Sequence, residues 1–228
     1  MSDHVRDLES LREATDRLLT AVGKLDNAAV AAPSRLPGWT RGHVLAHVSR
    51  NADALVNVLA GRPMYASAAD RDGDIKRDAP RPRPEQLADL RESAERFQEA
   101  AALDADWSRT VELRNGVTDT ASRVPFRRLI EVELHHVDLN IGYELEDLSA
   151  DFTRREITFL ADRFSGNSAV PEIAITAADG GQWTTGRQDG DVISVIGPSA
   201  DLLGWLAGRR EGAGLDCDGG LLPVLPAL

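Results

Sequence analysis

Sulfur and positive charge are the two things this 228-residue chain is short of. It has one cysteine, Cys217, so no disulfide can close within the chain, which fits a reducing compartment. Lys and Arg number 26 against 37 Asp and Glu, a net charge of -11, and the isoelectric point is about 4.9. That balance argues against nucleic acid or an anionic membrane as partner, because both reward clustered cations. A small anionic substrate stays open, since one or two placed arginines suffice to hold it. No apolar run approaches the roughly 18 residues that cross a bilayer. The first residues, Met1-Ser-Asp-His-Val-Arg-Asp, lack a basic region followed by an apolar stretch, so no signal peptide is expected and the expected location is cytoplasmic. Internal repeats and low-complexity tracts are also missing.

What remains is ordinary globular material, 42% hydrophobic and 28% charged. The length suits one large domain, or one of about 150 residues with a smaller companion. Leu8, Leu11, Leu18, Leu19, Val22 and Leu25 recur at helical spacing and predict a helix over 4–26. A loop over 27–39 leads to Thr40, a good N-cap for a second helix over 41–60. Residues 61–84 read as a long loop that contains Arg71, and Pro84 opens a third helix over 85–103. An irregular stretch with a hairpin signal at Asn115-Gly116 precedes a fourth helix over 122–142. Four such helices predict a four-helix bundle over 1–150. Beyond it, a helix near 153–165, strands at 171–176, 182–185 and 191–196, and a short helix over 200–208 predict a small α+β domain over 151–228. The fold class is therefore α+β.

The chemistry concentrates in Glu131-Val-Glu-Leu-His-His-Val-Asp-Leu139. Glu131 and His135 stand four residues apart, so they share a helix face one turn apart and suit one divalent cation. A third ligand has to come from elsewhere, and Gly42-His-Val-Leu-Ala-His-Val48 is the best donor. There His43, His47 and Asn51 form a polar line on an apolar helix, and buried polar groups of this kind need a partner. By spacing alone His43 competes with His47, and Glu133 or His136 could replace a ligand of the fourth helix. Two histidines and a glutamate with an open position are a catalytic arrangement for zinc, although nickel, cobalt or iron also accept it.

The segments Leu36-Pro-Gly-Trp-Thr-Arg-Gly-His-Val-Leu-Ala-His-Val-Ser-Arg-Asn51, Pro63-Met-Tyr65 and Glu131 to Leu139 resemble the mycothiol-dependent maleylpyruvate isomerases of actinobacteria. Gly197-Pro-Ser-Ala-Asp-Leu-Leu-Gly-Trp-Leu-Ala-Gly-Arg209 resembles their second domain. The resemblance implies a DinB-like bundle holding zinc through His47, Glu131 and His135, which selects His47 over His43. It implies catalytic roles for Arg209, from the C-terminal domain, and for Arg71. Glu133 and His136 depart from the neutral residues of close relatives. The implied reaction turns maleylpyruvate into fumarylpyruvate in gentisate catabolism, with mycothiol as cofactor and a monomeric enzyme as catalyst. A thiolate adds to the enoyl double bond, the bond rotates, and the thiolate leaves. Metal coordination would supply the thiolate at neutral pH. Cys217, in the Gly-rich tail, is not expected to be that nucleophile. The competing expectations are a mycothiol S-transferase sharing the metal ligands, and a metal-free binding or regulatory bundle.

Overall fold

The computed structural model describes residues 3–218 and 220–227. Helix α1, Asp3–Gly23, buries Leu11, Ala14, Leu18 and Val22 on one stripe. The segment expected to be loop contains a single-turn helix α2, Asn27–Ala31, whose cap is Asp26. Helix α3, Arg41–Leu59, starts at Thr40. The Thr40 hydroxyl accepts from the His43 amide at 3.3 Å, and His43 Nδ1 accepts from the Thr40 amide at 3.2 Å. His43 is thus used in a capping box, with an imidazole where Glu or Gln is usual.

The long loop expected over 61–84 is corrected by the structure. Residues Ala68–Asp78 form helix α4, so Arg71 is helical. Ser67 caps it by accepting from the Asp70 amide at 3.1 Å. Only Ile75 and Asp78 are buried along it, and a helix without an apolar stripe leaves no periodicity to read. What holds it is polar. Gln86 Nε2 donates to the carbonyls of Gly42, Asp78 and Ala79 at 3.3, 2.9 and 3.1 Å. A Cβ on Gly42 would lie 2.2 Å from the Ala79 carbonyl oxygen, so only glycine lets α3 and the end of α4 meet this closely.

Helix α5, Arg83–Ala101, and helix α6, Val124–Asp138, both carry proline in their first turn. Helix α3 packs against α5 and α6, and α1 packs against the same two, which closes a four-helix bundle. Between α5 and α6 lies a two-stranded hairpin, β1 Thr110–Glu112 with β2 Thr118–Thr120. Asn115 and Gly116 have φ of 60° and 71°, the left-handed pair that a tight hairpin turn requires.

The chain divides into two units between Tyr143 and Glu144. The second unit holds α7, Ala150–Phe164, and a four-stranded sheet in the order β4-β3-β5-β6. Strand β3, Ile173–Ala177, is antiparallel to β4, Gln182–Thr185, and parallel to β5, Ile193–Gly197. Ile173, Ile175 and Ala177 point to the buried side, the period-two pattern of a half-covered strand. Helix α8, Ser199–Leu206, packs on α7, and the short edge strand β6, Asp216–Cys217, comes from the tail. Mainly helical, with this small sheet, the architecture is α+β.

Candidate metal centre

The sequence around Trp39 does more than start a helix. The Arg35 amide donates to the Asp138 carbonyl at 2.8 Å, and Arg41 Nε and Nη2 donate to the carbonyls of Leu139 and Asn140 at 2.6 and 2.9 Å. These donors meet the carbonyls that a helix C-terminus leaves free. They fasten the end of α6 to the start of α3. Deeper in, Arg128 of α6 is almost fully buried, and its Nη1 donates to the Val48 carbonyl at 2.8 Å and to Asn51 Oδ1 at 2.9 Å. Burial lowers this guanidinium to about 10, with Glu131 the main opposing charge.

Between these two fastenings, α3 presents His47 and α6 presents Glu131 and His135. His47 Nε2 lies 3.0 Å and His135 Nε2 3.2 Å from the same oxygen, Glu131 Oε2. The two imidazoles stand edge to face, with centroids 4.6 Å apart. One ligand atom from each of the three residues falls within 4.8 Å of the others. Both histidines are nearly buried, at 7% and 9% exposure, while 30% of the Glu131 side chain stays accessible. The cluster is therefore closed from below and open on one side. Trp39 covers His47 with its ring 5.7 Å away.

The electrostatics follow from this packing. Burial would raise the Glu131 carboxyl, but hydrogen bonds and attraction from His135 and His47 win and hold it well below the usual carboxylate range. Burial also dominates at His47 and lowers it, despite its bond to Glu131. At His135 burial pulls down, yet Asp138 and Glu131 together prevail and raise it. Asp138 Oδ2 sits 2.8 Å from His135 Nδ1 and is fully buried. A carboxylate on the far nitrogen fixes the tautomer with its lone pair on Nε2, the usual support of a metal-binding histidine. The donor set thus suits a divalent cation: two imidazole nitrogens, one ionised carboxylate and an open side. Among the described residues this is the one group of three or more acidic, His or Cys side chains that meets such a distance limit.

The other residues singled out by spacing are used differently. Glu133 accepts from Arg17 Nη2 at 2.6 Å and from the Tyr143 hydroxyl at 2.8 Å. His136 stacks on the Tyr143 ring at 4.1 Å. Neither belongs to the cluster. The polar line His43, His47, Asn51 divides into a cap, a member of the cluster and a partner of Arg128. Arg71 does reach the cluster: its Nη2 lies 3.3 Å from His47 Nδ1, its Nη1 2.7 Å from Asp72 Oδ1, and its guanidinium carbon 6.0 Å from the Tyr65 ring centroid. Arg209 belongs to the second unit, just past α8, where its Nη1 donates to the Ala207 carbonyl at 2.7 Å. Cys217 is also in the second unit, with its sulfur 3.5 Å from the Leu221 carbonyl oxygen. Sequence reasoning passed over Arg128. The available signal was a charged residue three positions before Glu131, directly beside the core position Leu129. The support that Asp138 gives to His135 was equally unread, although the spacing of three was visible.

Residues 11–140 match the family described as the mycothiol maleylpyruvate isomerase N-terminal domain. No curated protein matches the chain by sequence. A crystal structure of a mycothiol-dependent maleylpyruvate isomerase superposes with a TM-score of 0.90 at 25% identity, over 99% of this chain and 97% of that one. A mutant of such an isomerase, with one histidine replaced by alanine, superposes equally well at 24% identity and the same coverage. With more than half of its length matched by that family, the chain belongs to the mycothiol maleylpyruvate isomerase family.

Proposed function

We propose that this chain is a zinc- and mycothiol-dependent isomerase that converts maleylpyruvate to fumarylpyruvate in gentisate catabolism, acting as a cytoplasmic monomer. The observation that supports it is the convergence of His47, Glu131 and His135 on one point in a bundle of this family. Three protein ligands leave a fourth position for an incoming group, the pattern of catalytic zinc sites. The chemistry zinc supplies there is to keep a coordinated thiol as thiolate at neutral pH, where a free thiol is mostly protonated.

The chain's own residues have separate tasks. Asp138 holds His135 in the tautomer that exposes Nε2 to the metal. Glu131, kept ionised by its two imidazoles, contributes the negative charge of the set. Arg71 offers a guanidinium beside His47, 3.3 Å from its Nδ1. With Nε2 given to a metal, His47 would carry its proton on Nδ1 and could not accept from Arg71. Arg71 would then be available to pair with a substrate carboxylate in bidentate fashion. Arg209, from the second domain, is the other arginine assigned to the diacid. The bundle's low-dielectric floor strengthens each of these charge contacts.

The test is a spectrophotometric assay of the metal-loaded protein with maleylpyruvate, with and without mycothiol. Loss of substrate that depends on the thiol, with fumarylpyruvate as product, is the expected result. No turnover by a protein carrying stoichiometric zinc would overturn the isomerase reading and favour a mycothiol S-transferase acting on another electrophile. Arg209→Ala is expected to lower turnover by about 10- to 100-fold, the loss of one charge-assisted contact or two, with metal content unchanged. Equal losses of metal and turnover would contradict its assigned role.

A further inference from the structure

The hairpin at Asn115-Gly116 has no part in the metal cluster, yet it walls a cavity. The cavity has a volume of about 520 Å³ and lies between the segment that follows α3 and strands β1 and β2. Arg62, Tyr65, Arg109, Glu112, Arg114 and Asn115 are among the residues that line it. The three arginines set it apart. Several arginines of the bundle are matched to acids, Arg50 to Asp53 and Asp89, Arg77 to Asp74 and Asp78, Arg127 to Asp119, while Arg41 and Arg128 are spent on carbonyls and Asn51 within the packed helices. Arg62 instead donates to Asn57 Oδ1, at 3.0 and 2.8 Å. Arg109 donates to the backbone carbonyls of Leu59 and Asp106. Arg114 has no side-chain hydrogen bond or ion pair among the described residues, and none of the three has a carboxylate within ion-pair reach. A chain with 37 acidic and 26 basic residues has carboxylates to spare, so three unmatched guanidiniums around one hollow, against a single lining acid, make a local positive field in an acidic protein.

Tyr65 connects this hollow to the metal cluster. It lines the cavity, and its ring also faces Arg71, which touches His47.

We propose that this cavity is an anion subsite that first captures one carboxylate of a small dicarboxylate, through Arg114, before Arg71 and Arg209 hold the diacid. The assignment rests on the isomerase reading for the substrate class, and adds a binding residue to it. Arg62 and Arg109, each pinned by its own hydrogen bonds, shape the field; Arg114, at the turn of an exposed hairpin, is free to close on the ligand.

The experiment is calorimetric titration of the zinc-loaded full chain with maleate, an unreactive dicarboxylate, for the wild type, Arg114→Gln and Arg114→Lys. Arg114→Gln is expected to weaken maleate about tenfold or more, the loss of a charge-assisted pair. Arg114→Lys is expected to recover part of it, and zinc content is expected to stay unchanged in both. In the assay, Arg114→Gln should raise KM for maleylpyruvate and leave the mycothiol KM unaltered. Maleate bound equally by the wild type and Arg114→Gln, or by neither, would overturn the subsite. So would a rise in the mycothiol KM with the diacid KM unmoved, which would give the cavity to the thiol. Maleate binding that depends on Arg114 in a protein without isomerase activity would keep the subsite and refute only the proposed reaction.

Discussion

Two acids and two histidines of α6 lie within six residues, Glu131 with His135 and Glu133 with His136, and the bundle treats the two sets in opposite ways. Burial pushes both carboxyl groups up. At Glu131 two imidazoles overcome it and the group stays ionised. At Glu133 burial prevails over Tyr143 and Arg17, and the group is raised. The neighbours explain more than the charge. Arg17 and Tyr143 donate to the oxygens of Glu133, whereas the Nε2 atoms of His47 and His135, which can donate to Glu131, can also give up that proton and turn a lone pair to a cation. An acid surrounded by donors is a structural anchor. One surrounded by other ligand atoms is a cation site. Spacing along a helix does not separate these cases; the facing helix does.

The comparison breaks most sharply at the ligands. His47→Ala is expected to abolish metal binding while circular dichroism keeps most of the helical signal, because α3 retains its cap and its apolar face. Metal retained at full stoichiometry would remove His47 from the site. Asp138→Asn keeps the shape but alters the support of His135, and is expected to weaken metal affinity by about 10- to 100-fold, measured by competition with a chelating dye. Glu133→Gln should leave metal affinity alone and reduce unfolding stability in urea by about 1–3 kcal/mol, as a buried acceptor of a charged donor is weakened. Reduced metal affinity in that variant would merge the two sets.

The smallest effect is one of pH on the metal-free protein. His135 is raised in the folded state, so its contribution to stability is complete below its ordinary value and is lost as pH rises through the elevated one. Glu131 is depressed, so its contribution is present above the ordinary carboxylate range and is lost as pH falls through its lowered value. Metal-free stability should therefore peak between these limits. Metal needs His135 neutral, so loading should extend the stable range upward in pH, readable as melting temperature from about pH 5 to about pH 9. Identical profiles with and without metal would contradict the assignment.

Much of this was legible in the residues. The bundle helices announced themselves by apolar period, Thr40 by its capping type, and the hairpin by Asn115-Gly116. The four-residue spacing of Glu131 and His135 pointed to a shared cation, and resemblance chose His47 over His43. Spacing alone could not make that choice, because His43 is removed by a hydrogen bond to the Thr40 amide that involves only the local backbone. Helix α4 escaped because Gln86, Gly42 and Ser67 hold it rather than an apolar stripe. The buried Arg128 escaped because a charge in a core is recognisable only when its acceptors, Val48 and Asn51 on another helix, are in view.

The most direct test takes the adjacent histidines of α6. Metal stoichiometry of the wild type, His135→Ala and His136→Ala, each dialysed against zinc and analysed by elemental mass spectrometry, compares a ligand with its neighbour on the same turn. One zinc per chain in the wild type and in His136→Ala, with none in His135→Ala, is the predicted result. Zinc retained in His135→Ala, or lost from His136→Ala, would contradict the account.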